Sequence, residues 1–164
     1  MVSDSAKLIH YKRSRFSTSL PAGYRYSPSH AWLAPGAPGR WRVGLTRFAT
    51  RMLGDMVDKG FESQPGDAVG HGQIIGWVEG FKAISDLYCV VQGRFVAGNP
   101  DLDKSIHWIT RHPYDKGWLY EAEGTPDPKC LSVQEYIGLL DVAIDKILEQ
   151  QKDEEPSPDG DDVG

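Results

Sequence analysis

The chain has 164 residues, of which 40% are hydrophobic and 25% are charged, as is ordinary for a globular protein. A chain of this length is expected to form one domain with a sizeable hydrophobic core. Its formal net charge of -5 argues against nucleic acid as a general partner, because no basic surplus is available to displace phosphate counterions. No apolar run approaches the roughly 20 residues that a membrane-spanning helix needs, so we expect no membrane partner.

Residues 1–23 are predicted to be an N-terminal extension, because they are rich in basic residues and serine. Organellar transit peptides share this composition. Asp4 and the lack of a clear amphipathic stripe instead favour an extension that wraps onto the body or lies on a partner. We therefore expect a cytoplasmic protein rather than a mitochondrial one.

Residues 24–150 are predicted to form the folded domain, in which short strands alternate with turns. The runs at 41–45, 74–78 and 87–91 are rich in β-branched and aromatic residues, and the first follows a turn rich in proline and glycine. Strands at this spacing suggest a β-sandwich or a barrel.

A short helix is predicted after the first strands. Thr46 can cap its N-terminus, the helix can run through Leu53, and Gly54 can end it. The fold is therefore expected to be mainly β with a small helical insertion.

A second, longer helix is predicted near the C-terminus, where Ser132 and Glu135 have the spacing of a capping box. Apolar residues follow at helical spacing: Val133, Ile137, Leu140, Ile144 and Ile147. We expect this amphipathic face to pack on the sheet. Residues 151–164 are acidic and rich in proline, glycine and serine, which predicts a disordered tail.

Lys82 lies in a short polar bend between two predicted strands, within residues 79–88 (EGFKAISDLY). A lysine at the tip of a hairpin has its ammonium group in water while the two strands hold its backbone. Most lysines in turns are ordinary surface charges. Such a position also suits a residue that another enzyme must find and modify.

The segment resembles the lipoyl-lysine segment of the glycine cleavage system H proteins. In that family a glutamate precedes the modified lysine by three residues and a small residue follows it; here these are Glu79 and Ala83. Other family motifs occur in the same order along the chain: residues 29–32 (SHAW), 44–49 (GLTRFA), 53–57 (LGDMV), 65–69 (PGDAV) and 113–119 (PYDKGWL).

The resemblance implies the barrel-sandwich hybrid of lipoyl and biotinyl carriers, with one lipoate covalently attached to Lys82. It also implies that Glu79, Phe81, Ala83 and Asp86 help a lipoate ligase or lipoyltransferase to recognise this lysine. Glu79 and Asp86 can equally be plain turn residues, since aspartate commonly forms Asx turns. Biotin is not expected, because biotinyl carriers favour methionine on both sides of the lysine.

The function implied by the resemblance is that of a non-catalytic carrier in glycine catabolism, which shuttles an aminomethyl group. Its implied partners are glycine decarboxylase, aminomethyltransferase and dihydrolipoyl dehydrogenase. A carrier that visits several enzymes is expected to be a monomer.

The chain departs from the family pattern beside the lysine, where the usual Glu-Ser-Val-Lys is replaced by Glu79, Gly80, Phe81 and Lys82. This change leaves two alternatives open. One is an H-protein-like carrier of another pathway, such as the oxidation of sulfur compounds. The other is an interaction protein of the same fold that has lost the cofactor.

No catalytic or metal site is predicted from the remaining residues. Residues 70–76 (GHGQIIG) approach the dinucleotide-binding glycine motif, but the third glycine is one residue late and a strand follows instead of a helix. Cys89, which we expect to be buried in a strand, and Cys130 lack metal-ligand spacing. The five histidines are scattered.

Overall fold

The structure, a computed structural model, describes residues 7–154 and consists mainly of β-strands. The first six strands are β1 (Leu8–Arg13), β2 (Phe16–Pro21), β3 (Arg25–Tyr26), β4 (Ala31–Pro35), β5 (Arg40–Leu45) and β6 (Met56–Phe61). The other five are β7 (Ala68–Val69), β8 (Ile74–Gly80), β9 (Ile84–Tyr88), β10 (Val91–Gly98) and β11 (Tyr120–Pro126). The helices are α1 (Arg47–Leu53), α2 (Trp108–Arg111), α3 (Val133–Glu154) and a 3-10 turn at Pro100–Asp103.

The strands form three sheets, within which all the pairings are antiparallel. Six strands form the largest sheet in the order β3-β4-β5-β11-β10-β7, and three form a second sheet in the order β6-β8-β9. The terminal strands β1 and β2 form a separate hairpin. Strand β8 is therefore the central strand of the small sheet and is held on both edges.

The short helix α1 has the ends predicted from the sequence. The Thr46 side chain accepts a hydrogen bond from the backbone N–H of Ala49, and the N–H of Gly54 caps the other end on the carbonyl of Thr50. Gly54 has a φ of 82° and a ψ of -178°, a backbone conformation essentially restricted to glycine. The helix therefore stops where the sequence signals indicate.

The long helix α3 begins at the predicted capping box. Glu135 N–H donates to Ser132 Oγ, and Ser132 N–H donates back to the Glu135 carboxylate at 2.9 Å. The predicted apolar face is buried or half-buried, and it also includes Tyr136, which is fully buried. Tyr136 is missing from the predicted stripe because tyrosine is also common at surfaces.

The segment predicted as an N-terminal extension contains the β1–β2 hairpin, which packs against α3. Arg13 donates two hydrogen bonds of 2.8 Å to the carboxylate of Asp145, and Tyr11 donates one to Asp141. The C-terminal boundary differs from the prediction, because α3 continues past residue 150 to Glu154. Residues 155–164 of the predicted disordered tail lie outside the described residues.

Two hydrophobic clusters make up the core. One lies within the two larger sheets and centres on residues such as Leu33, Ile75 and Tyr120. The other joins the N-terminal hairpin, α1 and α3 through residues such as Leu20 and Tyr136. Among the helices of residues 7–154, none combines the length and the apolar composition needed to cross a membrane.

Candidate functional site

Lys82 lies at the tip of the hairpin that joins β8 to β9. Strand β8 is longer than predicted and continues to Gly80, whereas β9 begins three residues earlier than predicted, at Ile84, which leaves a turn of only residues 81–83. The N–H of Gly80 donates to the carbonyl of Ala83 at 2.9 Å and closes the turn. The lysine is therefore on a tight turn of a paired strand and not in a loose loop.

The turn is also bonded to the end of α1. The N–H of Lys82 donates to the carbonyl of Leu53 at 2.8 Å, and the N–H of Phe81 donates to the carbonyl of Asp55 at 3.0 Å. The helix thus gives one of its free C-terminal carbonyls to the lysine's own backbone. This fixes the turn from a second direction.

Gly80 explains one departure from the family pattern. A Cβ atom at this position would lie 2.2 Å from the carbonyl oxygen of Leu53, far closer than real Cβ atoms come. The serine that the family usually has here would not fit this approach. Glycine therefore permits the close contact between the lysine turn and α1.

The side chain of Lys82 is exposed and its Nζ donates to the carbonyl of Arg51 at 3.3 Å. Its Cγ would lie 3.0 Å from a Cβ on Gly54. The aliphatic part of the lysine therefore lies along the C-terminal end of α1. Its amine is accessible to an enzyme, because only one of its three N–H donors has a protein partner among the described residues.

The predicted recognition residues surround the lysine in two groups. Phe81 and Ala83 flank it on the turn, and the Phe81 side chain is 82% exposed. Ile84, which the sequence reasoning missed, adds another apolar side chain that is 68% exposed. Two large apolar side chains are therefore exposed to solvent on either side of the lysine.

The two acidic residues lie further from the tip, on the paired strands. Glu79 is half-buried in β8, opposite Ile84. Asp86 is exposed in β9, opposite Trp77, so the alternative that it forms an Asx turn is wrong. The sequence suggested a turn because the predicted bend was several residues too long.

An apolar cleft of about 200 Å³ lies next to the hairpin. Its walls include Phe48, Met52, Val78 and Leu87, and Asp86 supplies its one acidic side chain among the described residues. A cleft with this lining suits an apolar chain whose end is neutral or positively charged.

His30 forms part of the cleft wall and connects it to α3. Its Nδ1 lies 2.8 Å from the Tyr136 hydroxyl, which is also 2.8 Å from Oγ1 of Thr46. Its ring also packs on Phe48. Burial lowers the pKa of His30 from the usual 6.5 to about 4, so the ring is neutral at pH 7. The network ties α3 to the N-terminus of α1.

Both cysteines are free thiols, Cys89 buried and Cys130 half-buried. Cys89 is buried and donates to the carbonyl of Val91, and burial raises the pKa of its thiol. It lies between β9 and β10, so the prediction of one strand through 87–91 is wrong. Burial also raises the pKa of Cys130, to about 11. Within residues 7–154, no three His, Cys, Asp or Glu side chains are arranged to hold a metal ion.

The family model of the glycine cleavage H-protein matches residues 24–137, which include the hairpin, α1 and the cleft. The chain belongs to the glycine cleavage H-protein family. A glycine cleavage system H protein of Micrococcus luteus is 41% identical over 105 residues, which cover 63% of this chain and 81% of the relative. One from Listeria monocytogenes is 38% identical over 128 residues, covering 75% and 99%.

The structure of this chain is also similar to a solved structure of the H-protein family. The crystal structure of a glycine cleavage system H protein from Mycobacterium marinum superposes with a TM-score of 0.66 and 35% sequence identity. The match covers 73% of this chain and 97% of the other. The predicted family and the predicted fold class, a barrel-sandwich hybrid with a C-terminal helix, are thus confirmed.

Proposed function

We propose that this chain is a lipoyl carrier of the glycine cleavage system and that Lys82 is its attachment residue. The observation that carries the proposal is the placement of an exposed amine on a backbone-fixed turn, in a chain of the H-protein family. The chain itself acts as a carrier without a catalytic group.

The residues around Lys82 fit a lipoyl group. Its short hydrocarbon chain is apolar, and the cleft beside the hairpin is lined mainly by apolar side chains. When attached, lipoate supplies a disulfide that can be reduced and can hold a transferred group. Lys82 anchors it, and Phe48 and Met52 offer its chain an apolar surface away from water.

The fixed turn helps a modifying enzyme to bind. Because three successive N–H groups, at residues 80–82, already have backbone partners, little conformational entropy is lost when a lipoate ligase or lipoyltransferase grips the hairpin. Phe81 and Ala83 supply contact area beside the amine, while Glu79 and Asp86 supply charges on the adjoining strands. After attachment, the tether keeps the group at a high effective concentration for each partner enzyme.

The proposed partners are glycine decarboxylase, aminomethyltransferase and dihydrolipoyl dehydrogenase. We further propose that the protein acts as a cytoplasmic monomer and that residues 24–150 form the carrier domain. In this domain the lysine turn projects from the small sheet, where a partner can approach it.

The attachment is tested by co-expression with a lipoate ligase and measurement of intact mass. We expect the mass of one lipoyl group on the wild-type chain and on Lys104→Arg, which changes another exposed lysine, and no addition on Lys82→Arg. Peptide mapping should place the group on Lys82. An unmodified wild-type chain in cells where a reference carrier is lipoylated would overturn the proposal.

The pathway is tested with purified glycine decarboxylase. We expect the lipoylated chain, but not the Lys82→Arg protein, to support the release of carbon dioxide from glycine. A fully lipoylated chain that does not support this reaction would point to the carrier of another pathway.

A further inference from the structure

A second groove has Lys82 itself in its lining, and we name it the terminal groove. It has a volume of about 390 Å³. One wall is the tip of the N-terminal hairpin, residues 13–16, and a second wall is formed by α3 between Ile144 and Gln151. The third wall is α1, through Phe48, Arg51 and Met52.

The terminal groove depends on parts of the chain that the family match does not include. The family model ends at residue 137 and begins at residue 24. Both the hairpin tip and the α3 wall lie outside these limits. The groove is therefore built partly from elements that lie outside the segment matched by the family model.

The terminal groove is cationic, in contrast to the apolar cleft. In the unmodified chain all four charged side chains in its lining are basic: Arg13, Arg15, Arg51 and Lys82. Attachment of an acyl arm makes the Lys82 nitrogen a neutral amide, which leaves the three arginines as the cations of the groove. Arg13 is paired with Asp141 and Asp145 of α3. Within the described part of the chain, Arg15 and Arg51 have no carboxylate within 4.0 Å.

The two spaces are adjacent, because Phe48 and Met52 line both of them. Asp86 in the apolar cleft repels an anion, whereas the guanidinium groups of Arg15 and Arg51 in the terminal groove attract one. The apolar cleft and the terminal groove both offer apolar surface to a hydrocarbon chain. They differ mainly in the charge that they accept at its end.

We propose that the terminal groove holds the arm on Lys82 when the end of that arm is negatively charged, and that Arg15 and Arg51 select this state. The inference rests on the proposed lipoylation of Lys82. The negative charge can come from a thiolate of the reduced arm or from an acidic group bound to its sulfur. In either case the neutral or cationic arm stays in the apolar cleft.

The location of the arm is tested by nuclear magnetic resonance, with two chemical groups of similar size attached in turn to its thiols as caps. The lipoylated protein, checked by mass, is reduced, and the arm thiols are alkylated with iodoacetate, which leaves carboxylates, or with iodoacetamide, which leaves neutral amides. Burial of Cys89 and the raised pKa of Cys130 disfavour alkylation of these thiols, and intact mass checks that only the arm is alkylated.

We expect the anionic cap to shift the backbone amide signals of residues 13–16 and 148–151, relative to the protein without an arm. The neutral cap should shift those of residues 29–31 and 85–88 instead. The same pattern for both caps, or no shift at the hairpin tip with the anionic cap, would overturn the inference. The proposed function would still stand, because the mass has already established lipoylation.

The selecting charges are tested with the double variant Arg15→Gln/Arg51→Gln. We expect it to lose most of the shift that the anionic cap causes at residues 13–16. The matched control Arg40→Gln/Arg94→Gln, which removes two arginines outside the groove, should keep that shift, and added salt should weaken it. Equal shifts in the two double variants would contradict the role of Arg15 and Arg51.

The source of the charge is distinguished by titrating the reduced arm without a cap. Shifts at the hairpin tip that appear as the arm thiols ionise identify the thiolate as one source. Shifts seen only with the carboxylate cap identify an acidic group bound to the sulfur as the source.

Discussion

Gly54 is the residue on which the presentation of Lys82 depends most directly. Its φ of 82° and ψ of -178° place it in a region that other residues avoid. A Cβ atom here would also lie 3.1 Å from the backbone nitrogen of Lys82, which donates to Leu53. A side chain at position 54 would therefore strain the backbone and come into close steric contact with the lysine turn.

Replacing Gly54 by alanine should lower the free energy of unfolding by about 1–3 kcal/mol, because of this backbone strain. It should also slow lipoylation. The matched control is Gly138→Ala, which lies exposed in α3 with open space around it and should raise stability by about 1 kcal/mol. Urea unfolding measures the stability of both variants. If Gly54→Ala were as stable as the wild type, the proposed strain would be contradicted.

His30 should make stability depend on pH. Its pKa is about 4 in the folded chain and 6.5 when exposed, so between these values the unfolded chain binds more protons. Stability is therefore lost as the pH falls from 6.5 towards 4, with a slope of up to about 1.4 kcal/mol per pH unit.

The slope is measured by urea unfolding at several pH values between 7 and 4.5. His30→Asn is a suitable comparison, because His30 has a φ of 70°, which asparagine tolerates better than most residues. The variant should show a shallower slope than the wild type. Equal slopes would show that His30 is not the group responsible.

The sequence singled out Lys82 as a candidate and predicted the hairpin that carries it, but it did not indicate the residues that support the cleft wall. Lys82 stands in a local motif, and local motifs can be recognised from neighbouring letters. The contact between His30 and Tyr136 joins residues 106 positions apart, and that between Thr46 and Tyr136 spans 90. No local pattern indicates which distant hydroxyl a histidine will meet.

At the scale of elements, α1 links the long helix to the site. At its N-terminus, the side chain of Thr46 is hydrogen-bonded to the Tyr136 hydroxyl. At its C-terminus, the carbonyl of Leu53 accepts a hydrogen bond from the N–H of Lys82. Both ends of α1 were predicted, because caps depend on a few adjacent residues. Strand β8 was predicted too short and β9 was predicted three residues too late, since polar residues such as Glu79 and Asp86 lie near the turn between them.

The N-terminal hairpin could not be derived from its own sequence. Among its strand residues, Tyr11, Phe16 and Leu20 face the second hydrophobic cluster, and basic and polar residues lie between them. Its polar partners on α3, Asp141 and Asp145, lie about 130 positions away. A pattern of basic residues and serine therefore suggested an extension without indicating its strands.

At the scale of the whole molecule, the second hydrophobic cluster makes the terminal elements part of the folded body. Leu20 is completely buried in this cluster, whereas Leu8 on the same hairpin is 60% exposed. Leu20→Ala should lower the free energy of unfolding by about 3 kcal/mol, because it opens a cavity between the hairpin, α1 and α3.

Leu8→Ala is the matched control and should change stability by less than about 0.5 kcal/mol. Thermal or urea unfolding of the two variants gives the comparison. If Leu20→Ala lowered the free energy of unfolding no more than its control does, packing of the hairpin would not contribute to the stability of the folded body.

The backbone bonds at the lysine turn have a consequence for proteases. Trypsin cleaves after lysine but needs several residues of extended chain, which this turn cannot supply while its N–H groups are bonded to Ala83, Leu53 and Asp55. The folded protein should therefore resist cleavage at residue 82 even when the amine is free. A lysine whose amine is exposed is in this way shielded from proteolysis at the same residue.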